Sequence, residues 1–158
     1  MSADADYKRE LLANVERHGW QLTYVFDPDG NEPDFAYSVG FTKTLDAPEF
    51  ILFGLPREVM AHMLGEIYEQ LQGGNAPADG RRWQNLLQGF DCISRKAAHP
   101  DLYSEYVTSA DWFWRDSGNH GHPEVYQIVW PSSKTGLFPW EDGCHQDVID
   151  AQPRLWRA

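Results

Sequence analysis

Between His18 and Trp20 the apolar period of this chain changes from about four residues to two. Upstream, over residues 4–18, Tyr7, Leu11 and Val15 recur at helical spacing and Leu12 widens the stripe. Gly19 stands where a left-handed C-cap belongs, so a helix is predicted to end there. Downstream, Trp20, Leu22, Tyr24 and Phe26 alternate with smaller or polar residues, the pattern of a half-buried strand. Asp27-Pro28-Asp29-Gly30 then reads as a turn, because Pro presets its own φ and Gly accepts a positive one. The turn region carries Asp27, Asp29, Glu32 and Asp34 without a base, as a solvated acidic loop does. A strand that turns back within a few residues has an antiparallel neighbour, not a crossover.

That neighbour is the stretch 35–41. Phe35, Tyr37, Val39 and Phe41 are predicted to share one face, and Ala36, Ser38 and Gly40 the other. Two occupants fit a face of such small residues: a helix packed close on the sheet, or a ligand. Pro48 leads into 50–55, whose continuous apolar run predicts a strand buried on both faces. Pro56 suits the first turn of a helix carrying Val59, Met60, Met63, Leu64, Ile67 and Leu71, stopped at Gly73-Gly74. After a polar loop over 75–82, a short helix at 83–87 and a strand at 90–94 are expected. Residues 110–114 read as helical and 125–130 as a strand stopped by Pro131. A turn over 132–136 then leads to the Phe138-Pro139-Trp140 segment and an irregular tail; if that segment pairs with 125–130 as a hairpin, Trp130 and Trp140 lie towards its open ends. No repeat or linker interrupts the chain. The expectation is one α+β domain over residues 1–158, a mainly antiparallel sheet with flanking helices.

Charge narrows the partners. The chain has 24 acidic and 13 basic residues among its 158, a formal charge of -11. Affinity for nucleic acid comes largely from Lys and Arg displacing counterions. Here the only adjacent basic pairs are Lys8-Arg9, Arg81-Arg82 and Arg95-Lys96. Nucleic acid and anionic membrane surfaces are therefore poor partners. No apolar run approaches the roughly 20 residues of a membrane-spanning helix. The start, Met1-Ser2-Ala3-Asp4-Ala5-Asp6, is acidic where a signal peptide is basic, so a cytoplasmic location is expected. Two cysteines, Cys92 and Cys144, are too few for a disulfide framework and are expected as free thiols.

Several segments recur together in one order: His18-Gly19-Trp20, then Phe35-Ala36-Tyr37-Ser38-Val39-Gly40-Phe41-Thr42, then Pro48-Glu49-Phe50-Ile51-Leu52-Phe53-Gly54-Leu55-Pro56. Gln127-Ile128-Val129-Trp130-Pro131 and Gly136-Leu137-Phe138-Pro139-Trp140 complete the set. In this order and spacing the chain resembles the bacterial domain-of-unknown-function family 4262 (DUF4262), over roughly residues 10–155. The resemblance implies a small cytosolic bacterial protein made of this domain alone. It carries no activity and no catalytic residue with it.

The residues themselves offer few sites for chemistry. His120, His122, Cys144 and His145 have zinc-type donor atoms, but no CxxC pair or helical HExxH preorganises them, so no metal and no cofactor are assigned. Cys92 lies in an apolar strand, where a thiol stays protonated. Cys144 is next to His145 only in sequence. No nucleophile elbow, Walker loop or dinucleotide fingerprint is present, and catalytic residues stay unassigned. An enzyme with an aromatic-lined pocket, of the flavin-binding split-barrel kind, is the alternative. It rests on the small face of Ala36, Ser38 and Gly40 beside the 50–55 strand, and only Lys43 and Arg57 lie near to meet a flavin phosphate.

Binding is the favoured function. The 22 aromatics (8 Phe, 7 Tyr and 7 Trp) exceed what a small core absorbs, notably around 103–114. An acidic surface steers such a chain to a basic protein partner or leaves it a small-molecule site. The expected site has Tyr37, Trp130 and Trp140 lining one concavity, with Ser38 or Gln127 supplying polarity. The competing reading has Trp130 and Trp140 cap the core. Oligomeric state is left open by the pattern.

Overall fold

The computed structural model describes residues 3–157. In chain order these form α1 (Ala3–His18), β1 (Gln21–Val25), β2 (Phe35–Val39), α2 (Phe41–Thr44), β3 (Glu49–Phe53) and α3 (Arg57–Gln72). They continue with β4 (Arg81–Leu87), β5 (Phe90–Lys96), a π-helical turn (Leu102–Tyr106), α4 (Thr108–Asp116), β6 (Val125–Val129) and α5 (Gln146–Asp150). The strands make one sheet in the order β1-β2-β3-β6-β5-β4. Every neighbouring pair is antiparallel except β3 and β6, which run parallel with Ile51 opposite Gln127. The α+β expectation holds. β1 and β4 end the sheet unpaired with each other, so it is open. Among the described residues no helix is long and apolar enough to cross a membrane.

The sheet is covered on both sides. On one face α3 lays Met60, Met63, Leu64 and Ile67 against Ala36, Phe50, Leu52, Cys92 and Ile128. Each of these fully buried helix side chains contributes roughly 1.5–3 kcal/mol of transfer free energy. The small face of β2 is thus filled by a helix. On the other face Leu11 and Val15 of α1, Leu102 of the π-helical turn, Ala110 and Phe113 of α4, and Leu155 pack on Phe35, Tyr37, Ile51, Phe53 and Val125. β3 alternates between the two clusters and is buried throughout, as its apolar run predicts. Of the aromatics of 103–114, Tyr103, Tyr106 and Trp112 pack on this second layer and Phe113 lies inside it.

Four expectations fail locally, each for a physical reason. Tyr7 and Leu12 stay 40% and 37% exposed, since α1 meets the sheet only along the Leu11–Val15 line. Phe41 does not share a face with Phe35. Gly40, at φ +113°, turns the chain out of β2 into α2 and sends Phe41 into the α3 cluster. Residues 83–87 are strand, not helix. Trp83 and Leu86 are both buried and three apart, as on a helix, because the strand is irregular between Trp83 and Leu87 and Asn85 adopts φ +68°. Finally, β6 has β3 on one side and β5 on the other, so the Phe138 segment has no edge to pair with and forms no hairpin.

Candidate functional site

Four segments distant in sequence meet beside α3 and enclose a groove of about 950 Å³. Glu58, Val59 and His62 of α3 form one wall, and residues 85–90 at the β4–β5 turn form the second. Residues 130–134 after β6, and His145, Asp147 and Val148 at the start of α5, close it. Its volume lies in the range of small-molecule sites, roughly 300–1,000 Å³. Val59, Leu86, Leu87, Phe90 and Trp130 supply apolar surface, and the charged lining is Glu58, Asp147 and Lys134.

Trp130 is the best-anchored of these groups. Pro131 ends the strand just after it. The side-chain amide of Gln152 accepts the Trp130 N–H at 3.0 Å and donates to its carbonyl at 2.9 Å. The indole Nε1 donates to the Phe53 carbonyl at 2.8 Å. With its polar edge satisfied inside, the half-buried ring is held in one orientation beside the groove. The following turn is fixed by Ser132, whose Oγ accepts the Lys134 N–H at 3.2 Å and whose carbonyl accepts the Gly136 N–H at 2.8 Å.

The five residues expected to form one site are not brought together. Tyr37 is buried on the α1 and α4 side, where its hydroxyl accepts the Ser109 N–H at 3.2 Å. Ser38 faces the opposite way, fully buried against Glu49. Gln127 is also fully buried. Its Nε2 donates to the Pro153 carbonyl at 2.8 Å and its Oε1 accepts the Leu155 N–H at 3.1 Å, pinning the C-terminal segment. Trp140 stacks on Phe138 at 5.2 Å and meets Trp156 edge-on, with the Arg95 guanidinium over both indoles. Only Trp130 lines the groove. The concave site built from all five is thus corrected: two sheet faces and a tail segment separate its members.

The four metal candidates do not converge either. His122 stacks on Tyr103 and places Nδ1 at 2.6 Å from the buried carboxylate of Asp111, which also receives Arg115 at 2.7 Å. Cys144 donates weakly to the Leu137 carbonyl and His145 lines the groove. Among the described residues no three His, Cys, Asp or Glu side chains gather as metal ligands. Both cysteines are free thiols, and burial pushes Cys92 up to about 12, far from a reactive thiolate.

A second polar centre, missed in the sequence, is Glu49. Its carboxylate is buried and accepts Ser38 Oγ at 2.8 Å, Gly40 N–H at 2.8 Å and Phe41 N–H at 3.1 Å. Ser38 Oγ in turn accepts the Phe50 N–H at 3.0 Å. This network closes the β2–α2 corner. Burial outweighs the donors and raises the Glu49 carboxyl from 4.5 to about 7.

The family model for a domain of unknown function, DUF4262, matches residues 14–145. The chain belongs to the DUF4262 family. No curated protein and no solved structure matches it. The DUF4262 region takes in all six strands and α3, and it ends on His145 within the groove lining. Of the groove residues only Asp147 and Val148 lie beyond it. Most of the groove is therefore built from the DUF4262 domain itself. Its sequence signal is the surplus of apolar residues that the α3 stripe and the 85–90 turn leave at the sheet's margin, notably Val59, Leu87 and Phe90.

Proposed function

We propose that this DUF4262 protein is a binding module whose ligand occupies the groove between α3, the β4–β5 turn and the segment after β6. The observation that carries the reading is a concavity of about 950 Å³ with apolar walls and a fixed indole. Apolar surface held open to water gains free energy when a ligand covers it, by roughly 25 cal/mol for each Å² removed from water. The reading includes a bacterial, cytoplasmic setting, the latter supported by two unpaired thiols. It excludes nucleic acid as the ligand, on a charge of -11.

The test uses the neutral, environment-sensitive dye N-phenyl-1-naphthylamine. Saturable fluorescence enhancement at one site is expected. Val59→Arg, which puts a charge into the apolar wall, and Ser133→Trp, which fills the mouth, are each expected to abolish it. Ser133 is exposed, so Ser133→Trp should keep the melting temperature within about 2 °C, whereas Val59 is half-buried against the α3 cluster and its Arg variant should lower it by a few degrees. Dye binding that survives both variants, or no dye binding at all, overturns the proposal.

A further inference from the structure

The charge around the groove selects a ligand class. We propose, resting on the binding reading above, that the groove takes a cationic amphiphile: a small molecule with an apolar body and an ammonium or guanidinium head.

Three observations support this assignment. The groove lining carries two carboxylates, Glu58 and Asp147, one ammonium, Lys134, and the imidazoles of His62 and His145. Neither carboxylate forms an ion pair or a side-chain hydrogen bond among the described residues, in contrast to Asp79, Asp91 and Asp111, which all have basic partners. The base next to Glu58 in sequence, Arg57, lies over the Tyr24 ring with its guanidinium carbon 5.1 Å from the ring centroid. A cation bound at either Glu58 or Asp147 therefore displaces no existing partner.

The apolar wall adds to the same preference. Trp130 is the aromatic ring most attractive to a cation, and its N–H is already committed to Phe53. What it can offer a ligand is ring surface. Lys134 opposes the proposal only weakly. It is exposed, and a strongly hydrated ammonium on a flexible stem can swing into solvent. Over longer range the surplus of 24 acidic over 13 basic residues gives the molecule a negative field that concentrates cations and repels anions.

Three probes with one tail separate the head group from the apolar body: octylammonium, octanol and octanoate, each competing with N-phenyl-1-naphthylamine. Octylammonium is expected to displace the dye at a concentration about tenfold below that of octanoate, with octanol between them. The double variant Glu58→Gln, Asp147→Asn should lose the octylammonium preference, its octylammonium and octanol midpoints becoming equal. Raising the salt concentration should narrow the gap in the native protein, because both carboxylates are exposed. Equal displacement by all three probes would sink the cation assignment and leave the groove as a binding site. So would a preference that persists in the double variant. Absence of dye binding removes the groove reading itself, and this inference with it.

Discussion

Ser38 and Glu49 meet through a 2.8 Å hydrogen bond, with both side chains fully buried. The same Glu49 carboxylate takes the Gly40 and Phe41 backbone N–H groups, so one side chain satisfies the donors of the β2–α2 corner. A hydroxyl expected to face a ligand is instead a link in a structural network. Its importance lies in folding and pH response.

The carboxyl of Glu49 is raised from 4.5 to about 7 by burial. In this window the folded state holds a proton that the unfolded state has released, so stability falls as pH rises. The contribution is fully present below pH 4.5 and lost as pH passes through 7. Glu49→Gln removes the titration but turns an amide N–H₂ toward a backbone donor. A loss of about 1–3 kcal/mol is expected. Urea unfolding of both proteins between pH 4.5 and 8 checks this: the native-minus-variant difference should shrink as pH rises. A flat difference would show that Glu49 does not titrate there.

Gly54 closes β3 at φ +79°, and a Cβ there would sit 2.7 Å from the Ala151 carbonyl oxygen and 2.9 Å from its Cβ. Both the backbone conformation and the space exclude a side chain. Gly54→Ala should therefore destabilise by more than about 1 kcal/mol, the usual scale for strain at positive φ alone. Gly89→Ala is the control, with φ +84° but nothing within 4 Å of the added carbon. Denaturant midpoints for the pair should differ clearly; equal midpoints would mean that the Ala151 contact yields without cost.

How much of this was readable from residues alone follows from the range of the forces. The period change at Gly19, the apolar run of β3 and the stripe of α3 are local patterns, and each gave its element. The alternation of β2 puts Phe41 on the Phe35 face, but one glycine dihedral, at Gly40, moves it across the sheet. Trp83 and Leu86 imitated a helix because a strand irregularity restores inward facing after three residues. Aromatic and polar character groups Tyr37, Ser38, Gln127, Trp130 and Trp140, but the sheet's two faces and the tail segment separate them. The true concavity joins residues near 58, 88, 132 and 147, and that assembly depends on packing rather than on any motif.

Asp111 holds His122 at 2.6 Å and Arg115 at 2.7 Å, tying the loop after α4 back onto that helix. Both partners are more than half exposed, so solvent screens the charges and the loss in Asp111→Ala should be modest, about 1 kcal/mol. The local effect should be larger. Hydrogen exchange at the Gly118 and Asn119 amides, which bond to Arg115 and Trp114 carbonyls, is expected to quicken roughly tenfold. Amides of β6 should be unchanged. Uniform acceleration across the chain would point to global destabilisation instead.

Trp140 lies against Phe138, Trp156 and Arg95, and outside the groove. Arg95 also donates from Nε to Asp79 at 3.1 Å, so the indoles cover a guanidinium already fixed to the sheet. Full burial of a Trp is worth about 3–5 kcal/mol on truncation to Ala, and Trp140 is half-buried. Trp140→Ala should then cost about 2 kcal/mol, with the Trp156 ring loosening from Arg95 of β5. Dye binding in the groove should keep its affinity, because Trp130 is anchored independently through Phe53 and Gln152. Thermal unfolding and N-phenyl-1-naphthylamine titration of the same variant decide the matter. Lost binding with an unchanged melting temperature would return Trp140 to the ligand site and move the site away from α3.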